Sequence, residues 1–147
     1  MEATRAETTI HATPAAVMAV IADLPEYPAW SAGVVAAEVL QAYPDGRPQR
    51  ARLRINAGPV SEQCDLQYDW DGDDQVNWEM TSGGLISQLR GRYTCQDNGD
   101  GTTTVGYELS VALAIPMIGT VRQRAERQIL STALRGLRRQ VEAVARG

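Results

Sequence analysis

His11 is the only histidine in this 147-residue sequence, and it stands between Ile10 and Ala12. In an extended segment that turns those two neighbours inward, parity sends the imidazole to solvent, so neither a Ser-His-Asp constellation nor a metal site can be built on it. Cys64 and Cys95 share no CxxC or Cys/His spacing, which leaves no zinc site. They fall on strands with another strand between them and are expected as free thiols. No metal and no cofactor is called for. Cyclisation chemistry needs a general acid or base aimed into a cavity, and Glu62 is the one acid that shares the parity of its apolar neighbours. It is the single catalytic candidate, though a residue near a strand start more often reaches water at a rim. Tyr68, Tyr93 and Tyr107 have the same inward parity and can polarise a ligand carbonyl, unless their hydroxyls are satisfied within the core.

A run of strands has to position these residues. From Val34 to about Tyr107 the apolar period is two, with turn residues at each boundary. Val35, Ala37 and Val39 share a side, and Pro44-Asp45-Gly46 makes the first hairpin. Ala51, Leu53 and Ile55 alternate with Arg50, Arg52 and Arg54, and Ala57-Gly58-Pro59 turns the chain. Glu62, Cys64, Leu66, Tyr68 and Trp70 form the next inward row, closed by Asp71-Gly72-Asp73-Asp74. Val76, Trp78 and Met80 follow, then Gly83-Gly84, then Leu89, Gly91, Tyr93 and Cys95. After Asp97-Asn98-Gly99-Asp100-Gly101 the last strand carries Val105, Tyr107, Leu109, Val111 and Leu113. Short connections make this an antiparallel meander. Pairing Tyr93 with Val105 across the last hairpin sets Gly91 opposite Tyr107 and leaves a gap beside that ring. The other face is charged: Arg50, Arg52, Arg54, Arg90 and Arg92 share it with Asp65, Asp69, Glu79 and Glu108, as cross-strand pairs of small individual worth.

Ahead of the meander, residues 5–12 alternate as a half-buried strand, and Thr13-Pro14 reads as an N-cap and first helical residue. A helix runs from Pro14 to about Asp23. Pro25 and Pro28 end it, leaving Glu26 to Ser31 as a short turn anchored by Tyr27 and Trp30. After Pro116 the spacing becomes helical: Ile118, Val121, Ala125, Ile129, Leu130, Leu134, Leu137, Val141 and Val144 recur every three or four residues. A helix of this length, about 40 Å, needs cover, and the apolar face of the sheet supplies it. The expected architecture is one α+β domain over residues 1–147, ordered β-α-α-β6-α, with a curved antiparallel sheet of about seven strands wrapped around the long C-terminal helix.

The formal charge of −4 argues against a polyanionic partner, and the charged face lacks interleaved aromatics that stack bases, so no nucleic-acid binding is expected. From Ile118 onward seven arginines face two glutamates, a surplus of five, which leaves −9 on the remainder. The arginines read as a solvated helix face that also allows peripheral contact with an anionic membrane or partner. No apolar run is long enough to span a bilayer and no leader pattern opens the chain; a cytoplasmic location is expected, as monomer or homodimer.

The stretch Ile10-His11-Ala12-Thr13-Pro14-Ala15-Ala16-Val17, followed by Asp23-Leu24-Pro25-Glu26-Tyr27-Pro28-Ala29-Trp30, resembles the polyketide cyclase/dehydrase and lipid-transport branch of the START-like superfamily, including bacterial coenzyme-Q-binding-type proteins. Tyr107-Glu108-Leu109 running into Ile115-Pro116-Met117-Ile118-Gly119 carries the rest of the likeness. The resemblance implies a helix-grip fold and a small hydrophobic ligand held between sheet and helix: a lipid, a quinone or a polyketide-like molecule. It specifies a pocket and no chemistry. Parity together with the fold points Leu53, Ile55, Glu62, Cys64, Leu66, Tyr68, Trp78, Met80, Leu89, Gly91, Tyr93, Tyr107 and Leu109 toward that ligand, with Val121 from the helix. Binding or transport is the reading this supports; a cyclase or dehydratase using Glu62 and the tyrosines is the alternative, and an interaction module docking through the basic helix is a third.

Overall fold

Thr13 caps the first helix as its sequence requires: its side chain accepts a hydrogen bond from the Ala16 amide at 3.2 Å, and Pro14 occupies the first helical position. The computed structural model describes residues 3–31, 33–57, 60–84, 86–113 and 119–146. Strand β1 is Thr4–Ile10 and helix α1 is Pro14–Ala22; a turn of 3-10 helix, Leu24–Glu26, leads to α2, Tyr27–Trp30. Six strands follow: β2 Val34–Ala42, β3 Pro48–Ala57, β4 Val60–Asp71, β5 Gln75–Ser82, β6 Ile86–Asp97 and β7 Thr103–Leu113. Helix α3, Gly119–Arg146, closes the chain.

The seven strands form one antiparallel sheet in the order β1-β7-β6-β5-β4-β3-β2, so the meander is continuous and β1 adds to β7 at one edge. This is the α+β architecture that the period-two and period-3.6 patterns point to, and the helix-grip arrangement that the resemblance implies. The turns at Gly46, Gly72, Gly99 and Gly101 all use positive φ, which glycine reaches without a Cβ penalty. The turn expected at Gly58-Pro59 lies outside the described residues.

Arg52 with Asp65, Arg90 with Glu79, and Arg5 and Arg92 with Glu108 are ion pairs on the outer face. The inner face is apolar. Helix α3 makes its closest backbone approaches to β1 and β7, with α1 and α2 also against it. Gly136 is what lets α3 seat on α2: a Cβ there would overlap the carbonyl oxygen of Trp30. The helix propensity that glycine forfeits, about 1 kcal/mol relative to alanine, is offset by this contact. Trp30 packs at a tilt against Tyr27 with ring centroids 4.8 Å apart, and Tyr27 anchors the segment by donating its hydroxyl proton to the Ile21 carbonyl at 2.5 Å.

Three expectations are corrected. Strict alternation put Val35 on the side of Ala37 and Val39, but the β2–β3 register shifts between Val34 and Ala36, and the extra residue turns Val35 outward to 52% exposure. The apolar stripe of α3 is rotated: Ala125, Ile129 and Val144 are exposed, and the buried face runs through Glu126, Leu130, Ala133, Leu134, Leu137 and Val141. The last hairpin pairs Asp97 with Thr103 around a five-residue loop, so Tyr93 faces Tyr107 and Cys95 faces Val105. Gly91 therefore lies opposite Leu109, two residues from the predicted register.

Candidate functional site

Cross-strand register assembles an aromatic row on the inner face. Tyr68 of β4 sits opposite Trp78 of β5, Trp78 opposite Gly91 of β6, and Tyr93 of β6 opposite Tyr107 of β7. Because residues on adjacent strands at one register stand about 5 Å apart, four strands suffice to join the rings. The centroids of Tyr93 and Tyr107 are 4.4 Å apart, those of Trp78 and Tyr93 5.3 Å, and those of Trp78 and Tyr107 5.7 Å. Tyr68 continues the row at 6.0 Å from Trp78, and Trp70 stacks on Tyr68 at 5.9 Å.

Gly91 enables this arrangement. A Cβ there would overlap the six-membered ring of Trp78, so the indole lies across β6 where the missing side chain leaves room. The space expected beside Tyr107 is thus taken by Trp78. Leu53, Leu66, Leu89 and Leu109 are buried around the row, while Ile55, Trp78 and Met80 are half-buried on the part of the inner face away from the closest approaches of α3. The side chain of Val121 lies outside the described residues.

Glu62 is half-buried and faces the β5–β6 connection. One carboxylate oxygen accepts from the Gly84 amide and the other from the Ile86 amide at 2.7 Å. Both oxygens thus hold backbone in place, which ties the loop after β5 to β4. The sequence reading missed a second acid, Glu126, which is only 1% exposed. It accepts the Thr4 hydroxyl proton at 2.6 Å and a hydrogen bond from the Val111 amide at 2.9 Å. Val111 lies beyond the last β1 partner of β7, Leu109, so the carboxylate takes the place of the missing edge strand. A signal existed: Glu126 stands four residues before Leu130 and eleven before Leu137, on the buried stripe.

Burial pushes the Tyr68, Tyr93 and Tyr107 hydroxyls above their ordinary pKa, and charge repulsion from Tyr107 raises Tyr68 and Tyr93 further. Tyr27 is raised in the same way, first by burial and then by all three. The hydroxyls therefore stay protonated near neutral pH. Tyr27 has its Ile21 carbonyl, and the buried Trp30 Nε1 has no hydrogen-bond partner among the described residues. Burial also raises Cys64 to about 11 and Cys95 to about 12, so neither thiol is a nucleophile near neutral pH. Among the described residues no three of His, Cys, Asp and Glu come together as a metal-binding set.

An open groove of about 780 Å³ crosses the opposite, polar face of the sheet, where Gln67, Asn77, Glu79, Arg90, Arg92 and Glu108 line it. Its arginines are already paired with Glu79, Asn77 and Glu108. The aromatic row lies on the inner face instead.

The chain shares its fold with a START superfamily protein from Mycobacterium smegmatis at 19% identity, TM-score 0.90, covering 97% of this chain and 98% of that one. A protein from Thermus thermophilus matches at 24% identity and TM-score 0.83, over 97% and 99% of the two chains. The Zhui aromatase/cyclase from Streptomyces sp. R1128 matches at 11% identity and TM-score 0.73, over 96% and 93%. A search of curated proteins gave no match. Residues 10–138 match the family described as polyketide cyclase / dehydrase and lipid transport. With the matched span running from the end of β1 into α3, across the whole meander, the chain belongs to that family.

Proposed function

We propose that this protein binds and carries a small apolar ligand between the inner face of the sheet and α3. The observation that supports it is the aromatic row from Trp70 to Tyr107, bordered by half-buried Ile55, Trp78 and Met80 away from the closest backbone approaches of α3. Apolar lining with a few convergent polar groups is the usual composition of a small-molecule site. The aromatase/cyclase activity named for the Streptomyces protein is the alternative here; both oxygens of Glu62 are engaged by amides, which favours binding over acid-base chemistry. A neutral solvatochromic probe, Nile red, should give a saturable, blue-shifted emission at one site per chain and quench the tryptophans. No saturable signal, together with native mass spectrometry that finds no small molecule carried from an expression host, would remove this reading.

No helix among the described residues is long and apolar enough to cross a membrane. Arg124, Arg127, Arg135 and Arg139 are exposed on α3 without an ion-pair partner among the described residues, which supports a second reading in which the helix rests on an anionic surface during delivery. Liposome binding that disappears with added salt checks it. The two unpaired cysteines favour a reducing, cytoplasmic setting.

A further inference from the structure

Register lays two rows of polar side chains across the outer face of the sheet. Gln67 of β4 stands opposite Glu79 of β5, Glu79 opposite Arg90 of β6, and Arg90 opposite Ser110 of β7. Two residues along each strand, the second row runs Asp69, Asn77, Arg92, Glu108. Both rows line the groove of about 780 Å³, and three strand spacings make each row about 14 Å long. Gln67, Asp69, Glu79, Arg90 and Arg92 are exposed, so their polar ends are turned to solvent. At Asp69 the groove meets a second hollow of about 340 Å³, which the half-buried Tyr43 and Trp70 help to line.

The chemistry of the rows narrows what the groove can take. Arg90 is paired with Glu79, and Arg92 with Glu108 and Asn77, so an anion would have to displace partners already in place. Strands β4 to β7 are each paired on both sides, which leaves no backbone edge here for an extended peptide to join. An apolar ligand would strip water from charged groups and return no hydrogen bonds. A sugar meets these conditions. Its hydroxyls both donate and accept, while along the rows carboxylates accept, guanidinium groups donate, and the Gln67 and Asn77 amides do both. These two-pronged groups stand about 5 Å apart from strand to strand, which suits neighbouring hydroxyls on successive rings. The Tyr43 and Trp70 rings offer the C–H face of a terminal ring an apolar surface.

We infer that the outer groove is a second ligand site, separate from the inner face, and that it binds a neutral linear oligosaccharide lying across β4 to β7, with its end at Asp69, Tyr43 and Trp70. The side-chain amide resonances of Gln67 and Asn77 report on it directly in proton–nitrogen correlation spectra. Titrations use cellotetraose and maltotetraose as extended and curved neutral chains, glucose as a single ring, and glucose 6-phosphate as an anion. They are repeated on Gln67→Ala, Asp69→Ala and the double variant, with Nile red as the probe of the inner face.

The expected result is a saturable shift of both side-chain amides with at least one tetrasaccharide, and binding about ten times weaker for glucose, which makes fewer hydrogen bonds. Each single variant should weaken the tetrasaccharide about two- to tenfold. As exposed substitutions they should leave the melting temperature near that of the wild type, and Nile red binding should not change. No saturable shift of the Gln67 and Asn77 amides with either tetrasaccharide would overturn the inference. So would an affinity unchanged in the double variant, and so would glucose 6-phosphate binding more tightly than both tetrasaccharides, because the groove would then be an anion site. Loss of Nile red binding in the variants would also overturn it, since the two faces would not be separate sites.

Discussion

Glu126 gives the sharpest test of how this fold is held together. Its carboxylate is 1% exposed and joins three elements, accepting from Thr4 in β1 and from the Val111 amide in β7 while standing on α3. Glu126→Ala removes both acceptors. The Thr4 hydroxyl is half-buried and can turn toward water, but the amide cannot rotate, and an unsatisfied buried donor costs about 1–3 kcal/mol. Lost packing of the side-chain stem adds to this. Relief from burying a carboxylate that has no ion-pair partner among the described residues subtracts from it. The net expectation is a loss of about 2–4 kcal/mol, which at this chain length lowers Tm by about 4–16 °C. Glu126→Gln separates shape from charge: its carbonyl oxygen can accept from Val111, its amide can donate to the Thr4 oxygen, and stability should stay within about 1 kcal/mol of wild type. Differential scanning calorimetry of both variants, with urea melts to check two-state behaviour, is the measurement. An unchanged Tm for Glu126→Ala would refute the edge-substitution argument, and equal losses for Ala and Gln would show that the charge, not the acceptor geometry, is what the site requires.

Gly91→Leu must push the Trp78 indole off β6, so tryptophan emission should shift to the red and stability fall by about 1–3 kcal/mol; an unchanged spectrum means Trp78 does not depend on that glycine. Gly136→Ala should destabilise although alanine is the better helix former, because its methyl meets the Trp30 carbonyl; a gain in Tm would show that α3 does not need the close approach. Thiol titration of the denatured, unreduced protein should find both Cys64 and Cys95 free, and finding none would require a strand rearrangement. Acid should weaken the fold through Asp65, held low chiefly by its hydrogen bond from Arg52, and Glu142, held low chiefly by the His11 amide. Their folded values lie below the unfolded ones, so the stabilisation is full above the usual carboxylate range of about 4 and is lost as pH falls through the folded values. Asp65→Asn and Glu142→Gln should flatten that part of a pH–Tm curve.

Features that depend on local spacing could be read along the chain before any pairing was known. Alternation assigned each strand an inner and an outer side, glycine and aspartate marked the hairpins, and Thr13-Pro14 announced α1, because these signals act over a few residues and do not wait for a partner. Register was not of that kind. Whether Tyr93 meets Val105 or Tyr107 turns on the number of residues in the Asn98–Thr102 loop that stay out of the ladder, and the bulge at Val35 likewise shifts one row by one residue. That Trp78 lies over Gly91, and that four strands bring the tyrosine and tryptophan rings into one row, became visible with the assembled sheet. Glu126 shows the same division from the helix side: a charged residue on an apolar stripe looks like a break in the pattern until β1 is seen to end its pairing before Val111, leaving an amide that a carboxylate from α3 can reach. Pairing across the chain belongs to the three-dimensional arrangement, because the energy that selects one register over its neighbours comes from contacts made only after both strands and the helix are in place.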